Sequence, residues 1–217
     1  MKKISMIILA LLVIAPYLNA EEKLKWDFEE TEIASVPTGW KVEATNPRGQ
    51  RALWEVLVDS QDDQKTNVLG MIKANDGFGG TFNLCWIDTI QIANAEIEVK
   101  FKALEGVEDQ GGGPIWRVQD ADNYYVARAN PLENNFRLYY VKDGARRTLD
   151  SVRVKVPTNT WHTIKIIHTG THIEGYLNGK KYLEWNDATF PDAGGVGVWT
   201  KADAVTYFDD LKLKRIE

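Results

Sequence analysis

Apolar and polar residues alternate at every second position through much of this chain. The clearest run is Glu96-Ile97-Glu98-Val99-Lys100-Phe101-Lys102-Ala103, where Ile97, Val99, Phe101 and Ala103 share one face and only charged residues occupy the other. A period of two with one apolar face predicts a half-buried antiparallel strand. Similar runs predict strands over 114–119, 123–129, 136–142, 161–168, 172–177, 181–185, 195–200 and 205–213, and no long stretch repeats with a helical period. Short strands at this spacing predict an all-β fold, a two-sheet antiparallel β-sandwich, rather than a parallel α/β sheet.

The turns agree with that pattern. Asn178-Gly179 separates two apolar runs and suits the positive φ angles of a two-residue hairpin loop, and Lys142-Asp143-Gly144 closes the strand that carries Leu138 and Tyr140. Segments 59–67 and 104–113 read as polar loops, the second ending in Gly111-Gly112-Gly113 before Pro114. Neither has the length or composition of a domain linker, so residues 21–217 read as a single domain. Leu24–Phe28 and Val205–Leu213 are both strand-like, and pairing between them would fasten the two chain ends in one sheet.

Residues 1–20 follow a different rule. Lys2 and Lys3 precede an apolar run from Ile4 to Ala15, and Asn19-Ala20 comes just before Glu21-Glu22, the layout of a secretory signal peptide. Its removal leaves 197 residues, and the loss of two lysines moves the formal charge from −5 to −7. A periplasmic or secreted product is expected. The acidic balance argues against nucleic acid as a partner, and no second apolar run is long enough to span a membrane after signal removal. Cys85, the single cysteine, has no intrachain partner and reads as a buried small hydrophobe.

Candidate chemistry concentrates in residues 111–140. Two strands around an Asp120–Asn123 turn put Ile115, Arg117 and Gln119 on one side of the first, and Tyr124, Val126 and Arg128 on one side of the second. Arg137 and Tyr139 would extend this face, while Phe136, Leu138 and Tyr140 form the more apolar set. Flat rings beside Arg and Gln donors suit a carbohydrate, whose C–H faces pack on rings while its hydroxyls need directed hydrogen bonds. The ligand-binding candidates are therefore Arg117, Gln119, Tyr124, Arg128, Arg137 and Tyr139, with an oligosaccharide or polysaccharide as partner. The alternative is that the tyrosines fill sheet faces and the arginines reach water. Arg128→Ala is expected to weaken binding more than folding.

The run Gly111–Arg128, with Arg137-Leu138-Tyr139, Trp161–Ile166, Leu177–Lys180, Gly195–Trp199 and Phe208–Leu211, resembles exported bacterial domains of the concanavalin A-like lectin/glucanase superfamily. Within it the similarity is to laminin-G-like and glycoside-hydrolase-16-like proteins related to the 3-keto-disaccharide hydrolase domain. The resemblance covers residues 95–213 and implies a jelly roll that binds or processes carbohydrate. The catalytic Glu-x-Asp-x-x-Glu strand of family 16 glucanases is missing, and Glu96 and Glu98 share their face with Lys100 and Lys102.

Three function classes remain open: a carbohydrate-binding or carbohydrate-processing accessory domain, a glycoside or 3-keto-disaccharide hydrolase, and a noncatalytic assembly protein with a protein partner that the sequence does not specify. For hydrolysis the candidate carboxylates are Asp120, Asp122 and Glu133. His162, His168 and His172 define no zinc motif and read as core or sheet-edge residues. No cofactor is required, but Glu29 and Asp210 could clamp a structural calcium if the terminal strands meet.

Overall fold

Among the described residues (23–60, 65–74 and 78–216 of a computed structural model) the chain forms fifteen β-strands and no helix. One sheet runs β13 (Lys180–Asn186), β12 (His172–Leu177), β11 (His162–Thr169), β6 (Ala95–Glu105), β15 (Val205–Arg215), β4 (Thr66–Lys73) and β3 (Leu53–Asp59), with β1 (Lys23–Trp26) also on β15. The other runs β10 (Ala145–Arg153), β9 (Asn135–Lys142), β8 (Asn123–Asn130), β7 (Gly112–Asp120), β14 (Gly194–Lys201), β5 (Phe82–Ile92) and β2 (Trp40–Thr45). Every pairing is antiparallel, which makes this the two-sheet sandwich the sequence predicts. The signal-peptide segment lies outside the described residues.

The first and last described strands meet. β15 is long enough to pair Thr206–Phe208 with β4 and Leu211–Lys214 with β1 along the same edge, in a register of Leu24 opposite Leu213 and Trp26 opposite Leu211. Phe28 is buried just beyond β1, and both Trp26 and Phe28 meet Trp40 edge-on.

The core between the sheets follows the alternation. Ile97, Val99, Phe101 and Ala103 of β6 face Trp116, Tyr125, Ala127, Phe136 and Leu138 from the second sheet. Each of the larger aliphatic and phenylalanine side chains, fully buried, contributes roughly 1.5–3 kcal/mol. Asn178 and Gly179 take φ angles of 50° and 78°, the left-handed pair that a two-residue hairpin needs.

Five strands, β2, β3, β4, β5 and β10, fall outside the sequence-predicted set. Residues 82–87 of β5 are buried on both faces, so the strand shows no alternation to read. β10 is an edge strand with a largely polar sequence, and its pairing with β9 identifies it only in three dimensions.

His168 shows what the core asks of a polar group. It is fully buried, and its Nδ1 accepts a hydrogen bond from Trp116 Nε1 at 2.9 Å. Burial first, and the nearby Arg117 charge second, lower its pKa from 6.5 to about 3. The unfolded chain then binds a proton below pH 6.5 that the folded protein refuses. Stability from this residue is complete above pH 6.5 and drains away as pH falls toward 3. Between pH 8 and pH 5 the loss should be roughly 2 kcal/mol. Denaturant unfolding at the two pH values checks this, with His168→Asn, which keeps an acceptor for Trp116, expected to flatten the difference. An equal pH slope in both proteins would remove His168 as its source.

Candidate functional site

The face of the second sheet turned away from the core carries most of the candidate residues. Register fixes its membership: Tyr124 lies opposite Val141, Val126 opposite Tyr139, and Arg128 opposite Arg137. Alternation sends Tyr125, Ala127, Ala129, Phe136 and Leu138 into the core, so Tyr124, Arg128, Arg137 and Tyr139 come together on the outer face. Phe82, Leu84, Trp86 and Trp199 join them there in a second apolar cluster.

The gathered residues are more enclosed than the sequence suggests. Tyr124 is fully buried, its hydroxyl 2.8 Å from Thr45 Oγ1 and accepting from Trp199 Nε1 at 3.1 Å. Arg128 is 1% exposed, which corrects the expectation of a surface arginine. Its Nη1 donates to both Asp109 oxygens at 3.1 and 2.9 Å, and its Nη2 donates to Glu133 at 2.7 Å. Asp109, equally buried, also accepts from Asn130 Nδ2 at 2.9 Å and pairs with Lys201 at 2.8 Å.

Asp203 holds this arrangement from behind. Its carboxylate accepts the backbone N–H groups of Val107, Glu108 and Asp109 at 2.7–3.1 Å, fixing the loop that presents Asp109. Glu133 is bound by Arg128, Asn135 and Arg137. Partial burial pushes its carboxyl up, but the Asn135 hydrogen bond and the two guanidinium charges outweigh that and hold it below the ordinary glutamate value. Beside it, Glu133, Asn135, Arg137, Ser151 and Arg153 line an open cleft of about 420 Å³.

Arg117 and Gln119 do not join this group. Arg117 sits at φ 45°, and β14 pairs Val196 with Trp116 and Gly195 with Val118, leaving Arg117 as the extra residue of a bulge. That single residue shifts the alternation and puts Val118 on the outer face instead. The Arg117 guanidinium donates to the carbonyls of Ala93, Phe190 and Gly170 at 2.8, 2.7 and 2.9 Å. Gln119 lines a different cleft of about 310 Å³ with Lys41, Glu43, Trp86 and Asp88 among its neighbours.

The three acidic candidates do not converge on one cleft. Asp120 accepts from Asp122 N and Asn123 Nδ2 and so closes the hairpin turn. Burial, with Asp120 and Asp143 nearby, raises the Asp122 carboxyl. Glu133 lies beyond the far end of β8, whose eight residues span roughly 27 Å. Glycosidase carboxylates sit about 5–9.5 Å apart.

Glu29 and Asp210 have separate partners, which corrects the expected calcium clamp. Glu29 accepts from Thr66 and Asn67, whereas Asp210 is neutralised by Lys25 at 2.8 Å and Lys100 at 2.6 Å. Among the described residues, the group placed to hold a cation is His172, Glu174 and Glu184, with ligand atoms within 4.8 Å of one another. Its imidazole nitrogen and exposed setting do not fit calcium, which takes six to eight oxygens. Lys181 Nζ already bonds both carboxylates, at 2.9 and 2.8 Å.

Sequence reasoning missed Asp109, Asn130, Asn135, Lys201, Arg146 and Trp199. Asp109 lies in a segment that reads only as a polar loop, and nothing in its neighbours signals the arginine it meets.

Two antiparallel sheets, one bearing an outward face of rings, guanidiniums and amides, define a lectin/glucanase-type β-sandwich. The chain belongs to the 3-keto-alpha-glucoside-1,2-lyase-like domain family, whose model matches residues 35–214. It is a carbohydrate-binding or carbohydrate-processing type of domain. Among solved structures it is similar to a carbohydrate-binding module, CBM66 from Bacillus subtilis (17% identity, 81% of this chain and 95% of that one, TM-score 0.60). It is also similar to domain 4 of AbnA, an extracellular arabinanase from Geobacillus stearothermophilus solved with arabinotriose (12% identity, 88% and 90%, TM-score 0.56). A third is the exoplasmic/lumenal domain of VIP36 in a form bound to Ca2+ and Man3GlcNAc (13% identity, 82% and 84%, TM-score 0.52). No curated protein matches the sequence.

Proposed function

We propose that this chain is an exported carbohydrate-binding domain, periplasmic or secreted, that seats an oligosaccharide on the outer face of the second sheet. The observation that carries the reading is the Arg128 network opening into the cleft of Arg137, Asn135, Ser151 and Arg153. Fixed guanidinium and amide donors supply the directed bonds that sugar hydroxyls require, and their positions are set before a ligand arrives. CBM66 and the arabinotriose complex of AbnA domain 4 share the fold that would present such a face. Calcium plays no part in this reading.

A second reading is enzymatic, and the family match favours it. A 1,2-elimination from a 3-keto glycoside takes the C2 proton next to the ketone and expels the C1 oxygen, so it needs a positioned base. Glu133 is the carboxylate at the cleft, but Arg128 and Arg137 hold it ionised below its ordinary range, which makes it a weak proton acceptor. That balance places binding ahead of catalysis.

Calorimetric titration of the protein with a broad panel of oligosaccharides tests both. A ligand is expected, and Arg137→Ala should weaken it by about tenfold through one lost charge-assisted bond. Arg137 is a third exposed, so the melting temperature should move little. Binding that Arg137→Ala leaves unchanged, or no ligand in the panel, would overturn the reading. Release of an elimination product from a 3-keto glucoside, lost in Glu133→Gln, would put the enzymatic reading in its place.

A further inference from the structure

The outer face of the first sheet gathers a second polar group, at the edge formed by β12 and β13. Alternation sends Ile173 and Leu177 of β12 into the core, so His172, Glu174 and Tyr176 share the opposite face. Register puts Glu184 of β13 directly opposite Glu174, and Asn186 directly opposite His172. Like charges placed opposite each other across a strand pair are destabilising, so a cation is favoured where these two carboxylates meet. Lys181 Nζ supplies one, 2.9 Å from Glu174 Oε1 and 2.8 Å from Glu184 Oε2.

The lysine accounts for the carboxylates but not for the imidazole. His172 Nε2 faces the same two acids, 3.7 Å from Glu174 Oε1 and 3.4 Å from Glu184 Oε1. A tetrahedral zinc ion with bonds of about 2.0–2.2 Å holds its ligand atoms about 3.3–3.6 Å apart, so these two separations already approach the size it needs. The two carboxylates offer oxygens within 4.8 Å of each other, and Glu184 is exposed enough to rotate and close that gap.

The neighbours hold the ligand groups in the orientation a metal uses. A metal-bound histidine gives its other ring N–H to an acceptor, and Asn186 Oδ1 lies 3.3 Å from His172 Nδ1. Tyr176 donates its hydroxyl to Glu174 Oε2 at 2.6 Å, which leaves Oε1 for an ion. The other two histidines are occupied elsewhere. His168 Nδ1 accepts from Trp116, and the His162 ring nitrogens each lie 3.0 Å from a partner, the Pro157 carbonyl and Asn178 Nδ2.

We propose that His172, Glu174 and Glu184 form a binding site for a zinc-type divalent ion, which displaces Lys181 as the cation between the two carboxylates. An imidazole nitrogen selects such ions over calcium and magnesium, which take oxygen ligands. Two carboxylates neutralise the ion, and Lys181, 40% exposed, carries its charge out to water. A fourth position stays open to water. The sequence carries no zinc motif because Glu184 reaches the other two ligands only through the β12–β13 register. The site lies on the opposite sheet from the cleft of Arg137, so it stands or falls apart from sugar binding.

Calorimetric titration of the untagged protein with zinc chloride tests the proposal. One ion per chain is expected, and His172→Ala and Glu184→Gln should each weaken it by about tenfold or more. Both side chains are exposed, so the melting temperature of the metal-free protein should hardly move. Lys181→Met should tighten zinc binding by about threefold or more, because two exposed ion pairs no longer have to be broken. Absence of stoichiometric binding, or binding that His172→Ala and Glu184→Gln leave unchanged, would overturn the site. Zinc affinity that Lys181→Met leaves unchanged or weakens would overturn the displacement of the lysine. Release of the zinc by an equal concentration of calcium would overturn the choice of ion.

Discussion

Arg128→Ala is expected to destabilise the domain by about 3–5 kcal/mol, more than a surface arginine would allow. Arg128 and Asp109 are each 1% exposed, and the arginine supplies two of the bonds that keep the aspartate charge tolerable in the interior. Removing it leaves Asp109 with Lys201 and Asn130 only, and leaves Glu133 without its shortest charged partner. The cost comes mainly from a carboxylate left buried and under-compensated, not from the net worth of the ion pair. Urea unfolding should therefore show Arg128→Met with Asp109→Asn to be more stable than Arg128→Ala alone. A loss below about 1 kcal/mol in the single variant would mean that Lys201 suffices for Asp109.

Arg117→Met should cost about 3 kcal/mol, for a different reason. The guanidinium joins three separate stretches of backbone through the carbonyls of Ala93, Gly170 and Phe190. Bonds to a charged donor contribute about 1.5–3 kcal/mol each, and water reaching the freed carbonyls will recover part of the sum. The segment around Phe190 has further ties, since Tyr125 accepts from Phe190 N at 3.2 Å and donates to Asp187 at 2.5 Å. Limited proteolysis should still cut the variant faster between residues 187 and 193. The bulge gives a control, because φ 45° at this position costs a non-glycine residue about 1–2 kcal/mol. Arg117→Gly should accordingly be more stable than Arg117→Met. If both match the wild type, the three carbonyl bonds contribute nothing to stability.

These two arginines also mark where sequence reading stops. Arg117 and Arg128 sit in strands that the pattern identifies, and both look like outward-facing basic residues among tyrosines. Their fates differ through one inserted residue. The bulge at Arg117 changes the alternation of β7, while β8 keeps its register from Asn130 to Tyr124. A bulge adds no residue type that a sequence pattern would flag, because its evidence is the count of residues on the opposing strand. Lys201 and Asp109 are 92 positions apart in sequence, and they meet only because β14 and the loop before β7 close on the same end of the sheet.

What the sequence by itself determined is the set of choices made locally. Period-two alternation determined which residues of β6, β8, β9 and β11 enter the core, since a strand with one buried face tolerates no slip. Asn178-Gly179 and Asp143-Gly144 determined their hairpins through backbone conformations that few residue pairs adopt. The gathering of Tyr124, Arg128, Arg137 and Tyr139 on one face followed from those two rules together. The tertiary structure alone decided what that face is. It brought Asp109, Lys201 and Arg146 onto it, enclosed Tyr124 and Arg128, and gave Glu29 and Asp210 separate partners. Burial and charge compensation depend on distances between segments remote in the chain, and those distances exist only once the sheets have closed.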